Sequence, residues 1–171
     1  MGAMREAVWR AADDPKVRCL VLTGAGGAFC AGGDVKGFAS DAGSGPRSSG
    51  EGPSYETQVQ GLRQGMEISK QLHVMPKPTL AVIPGAAAGA GLSLALACDL
   101  RFCLESAKIT TAFSKIGASG DYGGSYFLPR LVGAAKAREL YFTADVISGK
   151  EAYELGIMTK IAGSNTFDAE S

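Results

Sequence analysis

Short apolar runs alternate with amphipathic stretches along the chain, and Gly or Pro marks most of the changeovers. Met4–Ala12 predicts a short helix with Val8 and Trp9 on its apolar side, closed by Asp13-Asp14-Pro15. Val17–Thr23 (VRCLVLT) is a nearly continuous, β-branched apolar run and predicts a buried strand of the parallel type. Tyr55–His73 predicts a helix with Met66, Ile68, Leu72 and neighbours on its apolar face; Pro76 and Pro78 end it. Thr79–Ile83 predicts a second buried strand, Leu92–Ala97 an apolar helix, and Asp99–Leu104 a third strand. Ser125–Val132 and Ala134–Phe142 read as helices separated at Gly133. Ser148-Gly149-Lys150-Glu151 is a capping box (S-x-x-E) opening a helix that ends at Gly156, and Ile157–Ile161 predicts a last short strand. Strands alternating with helices imply one α/β domain over residues 1–171, with a largely parallel sheet.

Composition narrows the function. The 171 residues carry 17 Lys+Arg against 17 Asp+Glu, a zero net charge that lacks the basic footprint of a nucleic-acid binder. At 46% hydrophobic and 20% charged, the chain is neither disordered nor fibrous. Its one histidine, His73, argues against a Cys/His zinc site. None of Cys19, Cys30, Cys98 and Cys103 forms a CxxC pair, and three sit in or beside apolar runs. They read as buried free thiols in a reducing cytosol, disulfides being the lesser reading. Met1–Asp14 carries charges throughout, unlike a signal peptide. The uncharged run Thr79–Cys98 is broken by Pro84 and Gly85, so strand, turn and helix describe it better than a membrane span. These features place the chain in the cytoplasm.

The 24 glycines are about twice the usual ~7% share. Twelve of them lie in three loops: Gly24–Gly33 (GAGGAFCAGG), Pro84–Gly91 and Gly117–Gly124 (GASGDYGG). A fourth Gly/Ser/Pro-rich stretch, residues 37–54, reads as a mobile surface loop. The first two Gly loops follow strands, where α/β folds bind ligands. Gly-rich backbone can aim N–H groups at negative charge, though a tight turn or close helix packing explains each loop singly as well. Neither loop is a GxGxxG fingerprint, and no G-x-x-x-x-G-K-[ST] is present. Gly91-Leu92-Ser93-Leu94-Ala95 approaches the G-x-S-x-G of serine hydrolases, but that class needs its His after the Ser, and His73 precedes it.

Four stretches together resemble the crotonase superfamily, the enoyl-CoA hydratases and isomerases. They are Val17–Ala39 (VRCLVLTGAGGAFCAGGDVKGFA), Met75–Phe102 (MPKPTLAVIPGAAAGAGLSLALACDLRF), Phe113–Thr143 (FSKIGASGDYGGSYFLPRLVGAAKARELYFT) and Ser148–Ile161 (SGKEAYELGIMTKI). The resemblance implies a crotonase-like (ClpP/crotonase) spiral of ββα units acting on an acyl-CoA thioester, with the chain truncated at both ends relative to family members. It implies an oxyanion hole made by the N–H groups of Gly33 and Ala90; Ala90 stands where the family often has Gly. Ala31, Asp34 and Val35 match the family's adenine-binding turn, although Asp34 could equally cap a helix. No cofactor is implied beyond the CoA of the substrate, and no metal, nucleic acid or membrane. Full-length family chains imply a homotrimer or hexamer engaged in fatty-acid and lipid metabolism.

Chemistry explains the backbone donors. Deprotonating or adding to a thioester builds negative charge on the carbonyl oxygen, and each fixed donor there is worth about 100- to 1000-fold in rate. Family hydratases also use two glutamates to activate water. By alignment those positions hold Ser93 and Phe113, so both carboxylates are absent. Asp121, in Ser119-Gly120-Asp121-Tyr122-Gly123-Gly124, matches a catalytic Asp of dienoyl-CoA isomerases, of the epoxyphenylacetyl-CoA isomerase group and of chlorobenzoyl-CoA dehalogenase. Asp is also a favoured helix N-cap, which is the competing role for Asp121. The expected reaction is double-bond isomerisation with Asp121 as a lone acid/base, Phe113 and Tyr122 lining the substrate. Water addition, or acyl-CoA binding without turnover, are the alternatives.

Overall fold

The computed structural model describes residues 2–32, 54–120 and 122–163. Helix α1 (Gly2–Asp13) leads into strand β1 (Leu20–Thr23), and α2 (Tyr55–Val74) follows. Next come β2 (Thr79–Ile83), β3 (Ala87–Ala88) and α3 (Ala90–Ala97). Strands β4 (Leu100–Leu104) and β5 (Lys108–Thr110) precede a 3₁₀ turn (Phe113–Ile116) and α4 (Gly124–Thr143). Strand β6 (Ile147–Ser148), α5 (Gly149–Glu154) and β7 (Lys160–Ala162) complete the described chain.

Four parallel strands form the first sheet in the order β1-β2-β4-β7; β3, β5 and β6 form a second. The order of elements repeats. A first-sheet strand is followed by a second-sheet strand and then a helix: β2-β3-α3, then β4-β5-α4. The turn from β1 to α2 starts the same way, because Cys30 bridges Ala87 in parallel and extends the second sheet. This is the spiral of ββα units expected from the sequence.

The helices bury one face of the first sheet. Ile68 and Leu72 of α2, Ala81 and Ile83 of β2, Cys103 of β4 and Leu128 of α4 are at most 1% exposed. Helix α3 is buried along almost its whole length, as its run of Ala and Leu anticipates. Polar latches set the register of the edges. Asp99 Oδ2 accepts from the Thr79 backbone N–H (2.8 Å) and hydroxyl (3.0 Å), tying the start of β4 to the start of β2. Buried Arg101 donates to Cys98 O (2.6 Å), closing the end of α3, and to Ile157 O (2.7 Å) beyond α5. Lys77 Nζ caps the end of α1 at Ala11 O and Asp14 O.

Several expectations shift. The first strand covers only Leu20–Thr23, and Val21 is 56% exposed, because β1 is an edge of the described sheet with one face uncovered. The last strand is Lys160–Ala162 rather than Ile157–Ile161. The N–H groups of Ile157 and Met158 bond back to Ala152 O and close α5, so they cannot join the sheet. Helix α3 starts at Ala90, two residues early, since Gly89 turns the chain directly from β3 into the helix. Pattern reading missed β3, β5 and β6, which are too short to show a period. The helix pair around Gly133 stands, with Gly133 at φ 79° breaking α4, and the capping box at Ser148 and Glu151 is formed. Apart from Ser54, the N-cap of α2, the Gly/Ser stretch 37–54 lies outside the described residues. No helix among the described residues is long and apolar enough to cross a membrane.

All four cysteines are free, but only Cys98 and Cys103 are buried; Cys30 is half-buried and Cys19 exposed. Cys19 precedes the strand and so escapes the sheet's interior. Burial pushes the Cys98 thiol up to about 12 and the Cys103 thiol up to about 11. A disulfide reagent at neutral pH is expected to label Cys19 first and Cys30 next. Cys98 and Cys103 should react only on unfolding; four equal rates in the native protein would contradict this burial. Because both folded pKa values lie above the 9.0 of a free thiol, the neutral thiols support the fold below pH 9. That contribution should fade as pH rises from 9 toward about 11 for Cys103 and about 12 for Cys98, visible as a falling melting temperature.

Candidate active site

The first two Gly loops are laced together by backbone. The N–H groups of Phe29 and Cys30 both donate to Ala86 O, at 3.0 and 3.1 Å, and Ala88 N–H donates to Cys30 O at 2.9 Å. The approach is so close that side chains are excluded. A Cβ on Gly85 would run into Gly27 O, and one on Gly91 into Cys30 O. Further along, a Cβ on Gly32 would stand 3.2 Å from Ala88 O, so the chain leading to Gly33 passes beside the loop leading to Ala90.

Gly89 makes the corner. Its φ of 53° with ψ of −122° suits glycine, its N–H is held by Thr110 O at 3.1 Å, and it caps α3 without a side chain. Ala90 is therefore the first residue of α3, where a helix leaves its N–H without an intrahelical partner and presents the positive end of its dipole. The helix that follows is apolar and buried, so water screens this terminus little.

The two positions where the family resemblance expects glutamates both lie against this corner. Ser93, 1% exposed, donates its hydroxyl to Gly89 O at 3.2 Å. The Phe113 ring would sit 3.8 Å from a Cβ on Gly89. The hydrolase motif is not assembled: Ser93 is buried, whereas His73 is exposed on α2 with its ring against Tyr126 and Phe127.

The third Gly loop joins the same region through α4. A Cβ on Gly124 would collide with Ser93 Oγ. The N-cap of α4 is Gly123, at φ 81°, so the capping role weighed for Asp121 falls to another residue. Tyr122 is 8% exposed and holds a φ of 50°, with its hydroxyl against Gly65 of α2. Ala112, at φ 60°, bends the chain into the 3₁₀ turn. Left-handed non-Gly residues thus stand before Phe113 and after Asp121 in the chain, a kind of strain that concentrates at functional sites.

Of the residues singled out in the sequence, Ala90 and Phe113 come together around Gly89, while Tyr122 is buried with its hydroxyl against Gly65 of α2. Ala31 lies exposed one residue before Gly32. Gly33, Asp34, Val35 and Asp121 lie outside the described residues. Tyr141, not singled out in the sequence, stacks on Phe113 with ring centroids 6.3 Å apart. A helical Tyr beside Phe142 carries no sequence signal for this, because the contact depends on how α4 crosses the loop. Among the described residues no group of His, Cys, Asp and Glu is arranged to hold a metal.

The ββα spiral and the corner at Gly89 define a crotonase-like protein. A model of the enoyl-CoA hydratase/isomerase family matches residues 1–171, and the chain belongs to that family. It is 36% identical over 153 residues to the 1,2-epoxyphenylacetyl-CoA isomerase of Escherichia coli (strain K12), covering 90% of this chain and 55% of that protein. It is 34% identical over 167 residues to 4-chlorobenzoyl coenzyme A dehalogenase-1 of an Arthrobacter species, covering 96% of this chain and 56% of that protein. The crystal structure of an enoyl-CoA hydratase from Polaromonas sp. JS666 superposes with a TM-score of 0.84 at 34% identity, covering 99% of this chain and 62% of that one. The chain thus spans a little over half the length of these curated relatives. Their names include an isomerase, a dehalogenase and a hydratase, so the family is shared across different reactions.

The lacing generates a contrast. Gly91→Ala forces a Cβ against backbone and is expected to cost roughly 1–3 kcal/mol in denaturant unfolding, as overpacking does. Gly61→Ala, on α2 with nothing within 4 Å, should instead stabilise by about 0.4–1 kcal/mol. Equal effects at both sites would refute the close approach.

Proposed function

We propose that this chain isomerises the double bond of an unsaturated acyl-CoA through an enolate. In this reading the N–H groups of Gly33 and Ala90 hold the thioester oxygen. Asp121 takes a proton from the carbon next to the thioester carbonyl and returns it at a carbon further along the chain. The double bond moves, and no atom is gained or lost. Ala31, Asp34 and Val35 contact the CoA adenine, and Phe113 and Tyr122 bound the acyl side. The family position of Asp121 suggests its role, and the N-cap position of α4 is held by Gly123.

The observation that carries the reading is the pair of side chains beside Gly89. A phenyl ring and a hydroxyl bound to Gly89 O stand where two-glutamate hydration needs carboxylates. Water addition is the second reading, favoured by the hydratase name of the Polaromonas structure. The proposal extends to a homotrimer or hexamer of the full-length family chain, as the family resemblance implies, and to a cytoplasmic location, as the free cysteines suggest.

The test is a panel of 2-enoyl- and 3-enoyl-CoA thioesters, following conjugation by absorbance and water addition by mass. The parent is expected to shift the double bond, and Asp121→Asn to slow this about 10²- to 10⁴-fold, the usual weight of a general acid/base. Unchanged isomerisation by Asp121→Asn would sink the lone-Asp mechanism. Rapid water addition by the parent would put the hydratase reading in its place.

A further inference from the structure

The peptide unit that joins Gly89 to Ala90 carries two groups. Its N–H is that of Ala90, the donor proposed for the thioester oxygen, and its carbonyl is Gly89 O. Ser93 bonds that carbonyl twice, through its backbone N–H at 3.0 Å and its hydroxyl at 3.2 Å. Serine hydroxyls often bond the carbonyl four residues back in a helix. What distinguishes this bond is its acceptor, a peptide at the helix start whose own N–H has no intrahelical partner. The other side of Gly89 is pinned as well, its N–H donating to Thr110 O at 3.1 Å. Ser93 is 1% exposed, so water does not compete for its hydroxyl. Gly124, at the start of α4, leaves the hydroxyl its place, since a Cβ there would collide with Ser93 Oγ.

We propose that Ser93 is a positioning residue for the Ala90 N–H, acting through the Gly89–Ala90 peptide unit. The role rests on the reading in which that N–H holds the thioester oxygen, and not on which proton transfer follows. The hydroxyl works in two ways. Two donors on one carbonyl hold the peptide plane, and with it the direction of the N–H, beside a glycine whose own backbone is free to turn. A carbonyl that accepts a hydrogen bond also makes the N–H of the same unit a stronger donor, by about 10–30% per bond. On a donor worth about 100- to 1000-fold, that is roughly two- to eightfold in rate.

The experiment compares the parent with Ser93→Ala, which removes the hydroxyl, and Ser93→Cys, which fills the space with a thiol, a weak donor. One readout is the infrared carbonyl stretch of bound butanoyl-CoA, labelled with heavy carbon at the thioester carbonyl. The other is kcat and KM on whichever enoyl-CoA the parent turns over. In the parent the bound carbonyl should absorb at lower frequency than in solution. Both variants are expected to lose part of that shift. They should also lower kcat roughly two- to eightfold with little change in KM, since the donor works hardest on the developing oxyanion. A parental stretch in Ser93→Ala would overturn the proposal, as would a parental kcat. Parental values in Ser93→Cys would assign the residue to packing and overturn it equally; this arm decides alone if Ser93→Ala does not fold. A carbonyl left unshifted on binding to the parent means that the oxyanion reading itself has failed, and the Ser93 role with it. The infrared arm needs binding and no turnover, so it reads Ser93 even where the double bond does not move.

Discussion

The site depends on a backbone contact. Phe29 and Cys30 donate to one carbonyl, Ala86 O, and Ala88 donates back to Cys30 O. These bonds pull the loop after β1 onto the loop after β2 until only glycine fits at Gly85 and Gly91. Each added Cβ would meet a carbonyl oxygen, which cannot swing aside as a side chain can. The interlock therefore fixes the start of α3, and the direction of its first N–H groups, to the chain that runs on to Gly33. Two loops distant in sequence become one rigid frame.

Around that frame the structure spends its polar groups on geometry. Ser93 is tied to Gly89 O, Thr79 and Asp99 to each other, and Arg101 to two carbonyls beyond the helix ends. Buried hydroxyls and a buried cation bonded in this way hold elements in place. What is placed beside the Ala90 terminus is mostly apolar: the Phe113 ring near Gly89 and the buried Ala/Leu run of α3. A helix terminus in such surroundings keeps its dipole unscreened, which suits a developing oxyanion better than a free ion that water would hold as well. Strain is stored near it in the left-handed Ala112, between Thr111 and Phe113, which pack on Gly89.

Much of the fold was legible because α/β patterning is local. The apolar run Thr79–Ile83, the Ala/Leu helix ending at Ala97, and the capping box at Ser148 each announce themselves over a few residues. The strands β3, β5 and β6 did not, since two or three residues show no period and owe their conformation to their neighbours. Exposure was misjudged at Val21 and Cys19 for a related reason. An apolar β-branched run looks the same in the middle of a sheet and at its edge, and only the strand order separates the two.

For the candidate site, the sequence by itself determined the supply of parts. It set three Gly loops, a chain without side-chain bulk before Ala90, one histidine placed wrongly for a triad, and Ser93 and Phe113 in place of carboxylates. Only the tertiary structure decided what those parts are next to. It put Cys30 O against Gly91, Phe113 beside Gly89, and Tyr141 across Gly120 and Gly124. The physical reason is that a glycine's local signal is only permission. Whether that permission serves a turn, a left-handed cap or a close approach is settled by atoms far away in sequence, which meet it only when the spiral closes.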